Sequence, residues 1–152
     1  MSHSSRRFGT ALILLCLAAR TALAGDFFET DGLALRGYDP VAYFETGSPV
    51  RGDQAFHFDY RGSKFVFASA DHRARFAADP EKYAPQFGGY CALGTANGYK
   101  VATQPDAFQV VDGKLYLNYD RKVREIWRKD VPGNIARADH NWPEVQKQPI
   151  RE

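Results

Sequence analysis

Phe56, Phe58 and Tyr60 alternate with His57 and Asp59, and Phe65 and Phe67 answer them beyond Arg61-Gly62-Ser63. A ring at every second position gives a strand one face that must be buried, and the glycine turn returns the chain as its partner. The pattern predicts a β-hairpin over Ala55–Tyr60 and Lys64–Ala68. A second hairpin follows at Ala107–Val111 and Lys114–Asn118, because Asp112-Gly113 suits a two-residue type I′ turn. Between them Ser69 is a good N-cap for a helix to Ala78, ended by Asp79-Pro80. A short helix can start after Pro40 and stop at Gly47-Ser48-Pro49. Tyr119–Lys129 reads as a helix with Val123, Ile126 and Trp127 on its apolar face, and a last helix runs from Pro132 to about His140, closed by Trp142-Pro143. Phe27–Leu35 is an irregular segment or edge strand, and Tyr99–Thr103 a candidate strand. The expected fold is α+β: one small domain in which two β-hairpins form an antiparallel sheet packed by short helices and two C-terminal helices.

The beginning of the chain sets where that domain starts. Arg6-Arg7, the mostly apolar run Phe8–Ala19 and the small residues of Ala22-Leu23-Ala24 read as a cleaved secretory leader over residues 1–24. The run is short of the roughly 20 apolar residues that span a bilayer, and Arg20 interrupts it. The arginine pair also raises twin-arginine export beside the general route. The mature chain would be residues 25–152, with the domain over 25–143 and a polar tail, expected to fray, over 144–152. Its location would be periplasmic or secreted.

Cleavage removes Arg6, Arg7 and Arg20, so 20 basic residues become 17 against 18 acidic ones. Near-neutral charge leaves no footprint for nucleic acid or an anionic membrane surface. Cleavage also removes Cys16 and Met1, leaving Cys91 as the one sulfur. No internal disulfide is then possible, and an exported odd thiol is buried, metal-bound, paired with another molecule or held for chemistry.

Cys91 lies in Phe87-Gly88-Gly89-Tyr90-Cys91-Ala92-Leu93-Gly94, on backbone that tolerates positive φ and close approach. It is either a small buried hydrophobe in a glycine turn or a reactive or ligating thiol. His72 sits in the first turn of its helix, where the dipole disfavours a charged imidazole and leaves it available as a ligand or acceptor. A surface histidine without a role is the competing reading. His57 is expected to be exposed on its strand, and His140 to cap a helix end.

The combination of aromatic hairpin, short helix, Asp79-Pro80-Glu81-Lys82-Tyr83 and the glycine-cysteine turn resembles an exported YHS-domain protein. Further resemblance comes from Gly37-Tyr38-Asp39-Pro40-Val41-Ala42-Tyr43-Phe44, Phe65–Ser69, Asp112–Asn118, Trp127 and Asn141-Trp142-Pro143, so it covers most of the mature chain. It implies a small α+β domain related to modules of metal-transporting ATPases and some oxygenases, which are associated with soft or transition metals bound through cysteines. The cysteine positions of those modules correspond here to Ala42, Ala68 and His72, of which only His72 keeps a possible ligand. The exported branch includes predicted selenoproteins. Should selenium fall at the position of Cys91 in those members, a redox or soft-metal role gains weight.

Three functions stay open. The first is a binding module holding copper or zinc through Cys91 and His72, with His57, His140 and Asp39 as lesser ligands and further donors from a second protomer or a metal-delivery partner. The second is thiol redox chemistry, in which Cys91 needs a nearby cation such as Arg73 and an external thiol or redox partner. The third is a structural or interaction domain. No Ser-His-Asp order or carboxylate pair points to a hydrolase, and an enzyme is the least favoured class.

Overall fold

The computed structural model describes residues 25–152, and the leader and Cys16 lie outside the described residues. The aromatic hairpin forms as the alternation predicts, from β3 (Asp53–Tyr60) and β4 (Ser63–Phe67), with Phe58 opposite Phe65 and a register irregularity between Asp53 and His57. Arg61 and Gly62 both take positive φ, 47° and 77°, as a tight hairpin turn requires. Helix α2 (Ala70–Ala78) closes over this sheet, its start fixed by Ser69 Oγ, which accepts from the His72 amide at 3.2 Å. Phe76 is the plug: its ring lies 4.8 Å from Phe65, 5.2 Å from Phe67 and 5.8 Å from Tyr60. Removing a ring buried in this way costs about 3–5 kcal/mol.

Ahead of the hairpin the chain forms the two-residue strands β1 (Glu29–Thr30) and β2 (Leu33–Ala34), then α1 (Ala42–Glu45) after Asp39-Pro40. After α2 come α3 (Pro80–Tyr83), a left-handed kink through Phe87, Gly88 and Gly89, and α4 (Ala92–Ala96). The second hairpin pairs β5 (Phe108–Val111) with β6 (Lys114–Leu117) around Asp112 and Gly113, both at positive φ. Then α5 (Arg121–Trp127) leads through a 3-10 turn into α6 (Val131–Val145).

Strand β6 divides the interior. Leu115 and Leu117 belong to a core with Phe65, Phe67, Phe76 and Tyr43, whereas Tyr116 belongs to a second core with Phe87, Trp127 and Ala138. Side-chain alternation along one short strand thus buries both of its faces, one against the hairpin half and one against the C-terminal helices. Asn141 of α6 ties the second core, donating from Nδ2 to the carbonyls of Thr95 and Ala96 at 3.1 and 3.0 Å, at the C-terminal end of α4.

The structure departs from expectation at several places. The two hairpins are separate two-stranded sheets, and β1–β2 makes a third. Tyr99–Thr103 forms no strand; Val101 makes a single bridge to Arg151. Ile126 is 51% exposed, leaving Trp127 as the buried anchor of α5. Helix α6 continues through Pro143, which forgoes only the bond to the Asp139 carbonyl on an exposed face. His140 is therefore inside a helix rather than at its end. The tail is docked: Gln148 Nε2 donates to the Gly98 carbonyl, the Arg151 amide to the Lys100 carbonyl at 2.7 Å, and the Arg151 guanidinium lies 4.0 Å from the centre of the Tyr99 ring.

Candidate functional site

The glycine segment owes its composition to chain packing. A Cβ on Gly88 would stand 2.5 Å from the Asp26 carbonyl, and one on Gly89 would stand 2.8 Å from Leu35 Cδ2. With φ near +60° at Gly88, the kink lets residues 26–28 lie against it, and the Phe28 amide donates to the Gly88 carbonyl at 2.7 Å.

Cys91 is 1% exposed and serves as the N-cap of α4. Its Sγ accepts from the Gly94 amide at 3.3 Å and donates to Asn118 Oδ1 at 3.7 Å, while its carbonyl accepts from Thr95 Oγ1 at 3.0 Å. Burial pushes the Cys91 thiol up; the amides of Gly94, Tyr119 and Leu93 oppose that without reversing it. The thiolate that metal binding or nucleophilic attack needs is therefore disfavoured. Arg73 is not among the groups acting on the sulfur.

His72 belongs to another constellation. Its Nδ1 lies 2.6 Å from Oδ2 of Asp39, whose side chain is 0% exposed against 19% for the imidazole. The same Oδ2 accepts from the Ala68 amide at 2.9 Å, and Oδ1 accepts from the amides of Val41 and Ala42 at 2.8 and 3.3 Å. Because both carboxylate oxygens are engaged as acceptors, Nδ1 carries the proton of the shared bond, and in the neutral ring the lone pair is left on Nε2. Asp39 thereby ties the Asp-Pro turn, the end of β4 and the first turn of α2 to one another.

Of the residues singled out by sequence, then, the fold joins Asp39 with His72 and gives Cys91 different partners. His57 is exposed, with Nδ1 3.0 Å from its neighbour Gln54's carbonyl, and His140 is exposed on α6. Among the described residues no three His, Cys, Asp or Glu side chains gather in a way that could hold a metal ion.

A cleft of about 570 Å³ opens elsewhere, where the kink at Phe87-Gly88, the hairpin turn and the C-terminal helix meet. Phe87, Trp142 and Tyr60 give it aromatic walls, and Arg61, Lys100 and Gln146 give it polar ones. Trp142 rests on Phe87 and Tyr90, with ring centres 5.8 and 6.3 Å apart. Arg61 is held by Glu81 at 3.1 Å and lies over Tyr60. The Lys100 ammonium sits 4.4 Å from the centre of the Tyr90 ring and donates to the Gln146 carbonyl at 3.0 Å. Burial pulls the Lys100 pKa down from its usual value. Little in the sequence points to these residues, because Trp142 reads as helix punctuation and Lys100 as part of a strand. Trp142 beside Pro143 is the one visible hint, an aromatic where a helix is expected to end.

Comparison with protein-family models, with curated proteins and with solved structures returns no match.

Proposed function

We propose that this chain is an exported, non-catalytic binding module whose ligand site is the cleft between Phe87, Trp142 and Lys100. The observation that carries the reading is the cleft itself, whose volume of about 570 Å³ lies in the range of small-molecule sites and whose mostly polar lining carries the rings of Phe87, Trp142 and Tyr60. The polar atoms of Cys91 and Asp39 are meanwhile spent on the fold. Amide-resolved NMR with benzoate, benzamide and benzylamine tests this. Saturable shifts clustered at residues 25–27, 86–88, 100 and 142–146 support the cleft, and shifts scattered over the surface or absent refute it. Intact mass of protein recovered from the exported fraction, beginning at Gly25, would support the leader reading; a retained residue 1–24 segment would oppose it.

A second reading is favoured by the hydrogen bond of 2.6 Å between Asp39 and His72. A carboxylate behind Nδ1 is the arrangement that orients an imidazole to offer Nε2 to a transition metal. In this reading copper or zinc is handled by His72 with donors from a delivery partner or second copy, consistent with the YHS-domain resemblance. Anaerobic titration with copper(I) and zinc against a competing chelator decides it: tight binding lost in His72→Ala supports it, and equal behaviour of the variant opposes it.

A further inference from the structure

Resting on the cleft reading, we infer that the ligand is a small organic anion with a flat body, its acidic group held at Lys100 and its body against Trp142 and Phe87. The charged side chains lining the cleft are Asp26, Arg61, Glu81 and Lys100, and cleavage before Gly25 would add an α-ammonium among them. Arg61 and Glu81 neutralise each other at 3.1 Å, and Asp26 adjoins them, its amide donating to the Arg61 carbonyl at 3.2 Å. Lys100 is a cation with no carboxylate paired to it among the described residues, as Asp26 is an anion with no cation paired to it. Its ammonium has three N–H groups, one of which goes to the Gln146 carbonyl, while the Tyr90 ring covers one side. A half-buried cation with unshared donors is the group an incoming carboxylate, sulfonate or phosphate would satisfy. Its lowered pKa, caused by burial alone, fits a charge that lacks a counter-ion. The rings of Trp142 and Phe87 line the same cleft and give a planar body a surface to stack on.

The test is calorimetric titration of the purified protein with benzoate, neutral benzamide and cationic benzylamine, repeated on Lys100→Gln and Lys100→Arg. Benzoate is expected to bind at least fivefold more tightly than benzamide, with that preference vanishing in Lys100→Gln and mostly restored in Lys100→Arg. Equal affinity for benzoate and benzamide in the unaltered protein overturns the anion class whatever the variants do. Preference for benzylamine overturns the anion class while leaving the cleft as a binding site. Absence of binding by all three overturns the inference and the cleft reading together.

Discussion

Asp39 Oδ2 and His72 Nδ1 stand 2.6 Å apart, with the carboxylate wholly inside the protein and the imidazole at its surface. The pair bridges 33 residues of sequence and fixes α2 over the aromatic hairpin. Asp39→Ala would strand three backbone donors and the imidazole, so we expect a loss of about 3–5 kcal/mol. His72→Ala removes one of four contacts to a carboxylate that keeps its backbone donors and should cost about 1–3 kcal/mol. Urea denaturation of both variants checks this, and an Asp39→Ala protein within about 1 kcal/mol of the unaltered one would show that the tie is not needed.

Cys91 predicts a specific loss of stability in alkali. Burial raises its pKa above the ordinary 9.0, so the folded protein keeps this proton to higher pH than the unfolded chain. The contribution is complete below pH 9 and drains as pH rises through the folded value, by at most about 1.4 kcal/mol per pH unit. Tyr43, Tyr90 and Tyr116, raised by burial from 10.0, enter later. Lys100 titrates in both proteins and cancels in the comparison. Cys91→Ser keeps an acceptor for the Gly94 amide and removes the titration, so between pH 9 and 10 its stability should fall less steeply than that of the unaltered protein. Parallel curves would contradict the burial of the thiol.

Two glycines with similar backbone separate conformational cost from close approach. Gly88 and Gly113 have φ of +60° and +72°, but a Cβ would meet the Asp26 carbonyl at 2.5 Å in the first and nothing within 4 Å in the second. Gly113→Ala should cost about 1 kcal/mol for the left-handed backbone alone, and Gly88→Ala at least about 1–2 kcal/mol more. Thermal melts that place the two variants together would contradict the packing of residues 26–28 against the kink.

Much of this fold is legible in its local chemistry. Rings at period two announce β3 and β4, Asp112-Gly113 announces the second turn, and Ser69 caps α2 as a serine there should. What is not legible depends on residues distant in sequence. Whether two hairpins join is decided by long-range edges, and Ile126 is told from Trp127 only by the packing of α4, β6 and α6 on one side. Pro143 stops no helix, its missing N–H falling opposite the exposed residue Asp139. Asp39 is visible in the sequence as a lesser ligand, but its place behind His72 needs the hairpin to fold. The cleft is assembled from segments near Gly25, Arg61, Phe87, Lys100 and Trp142, no two of which are neighbours in the chain.

Tryptophan emission tests the central claim most directly, since Trp127 is fully buried and Trp142 lines the cleft. Benzoate should change the emission saturably in the unaltered protein and equally in Cys91→Ser, and should leave Trp142→Phe unchanged. A response that disappears with Cys91, or no saturable response at all, would contradict the assignment of binding to this cleft.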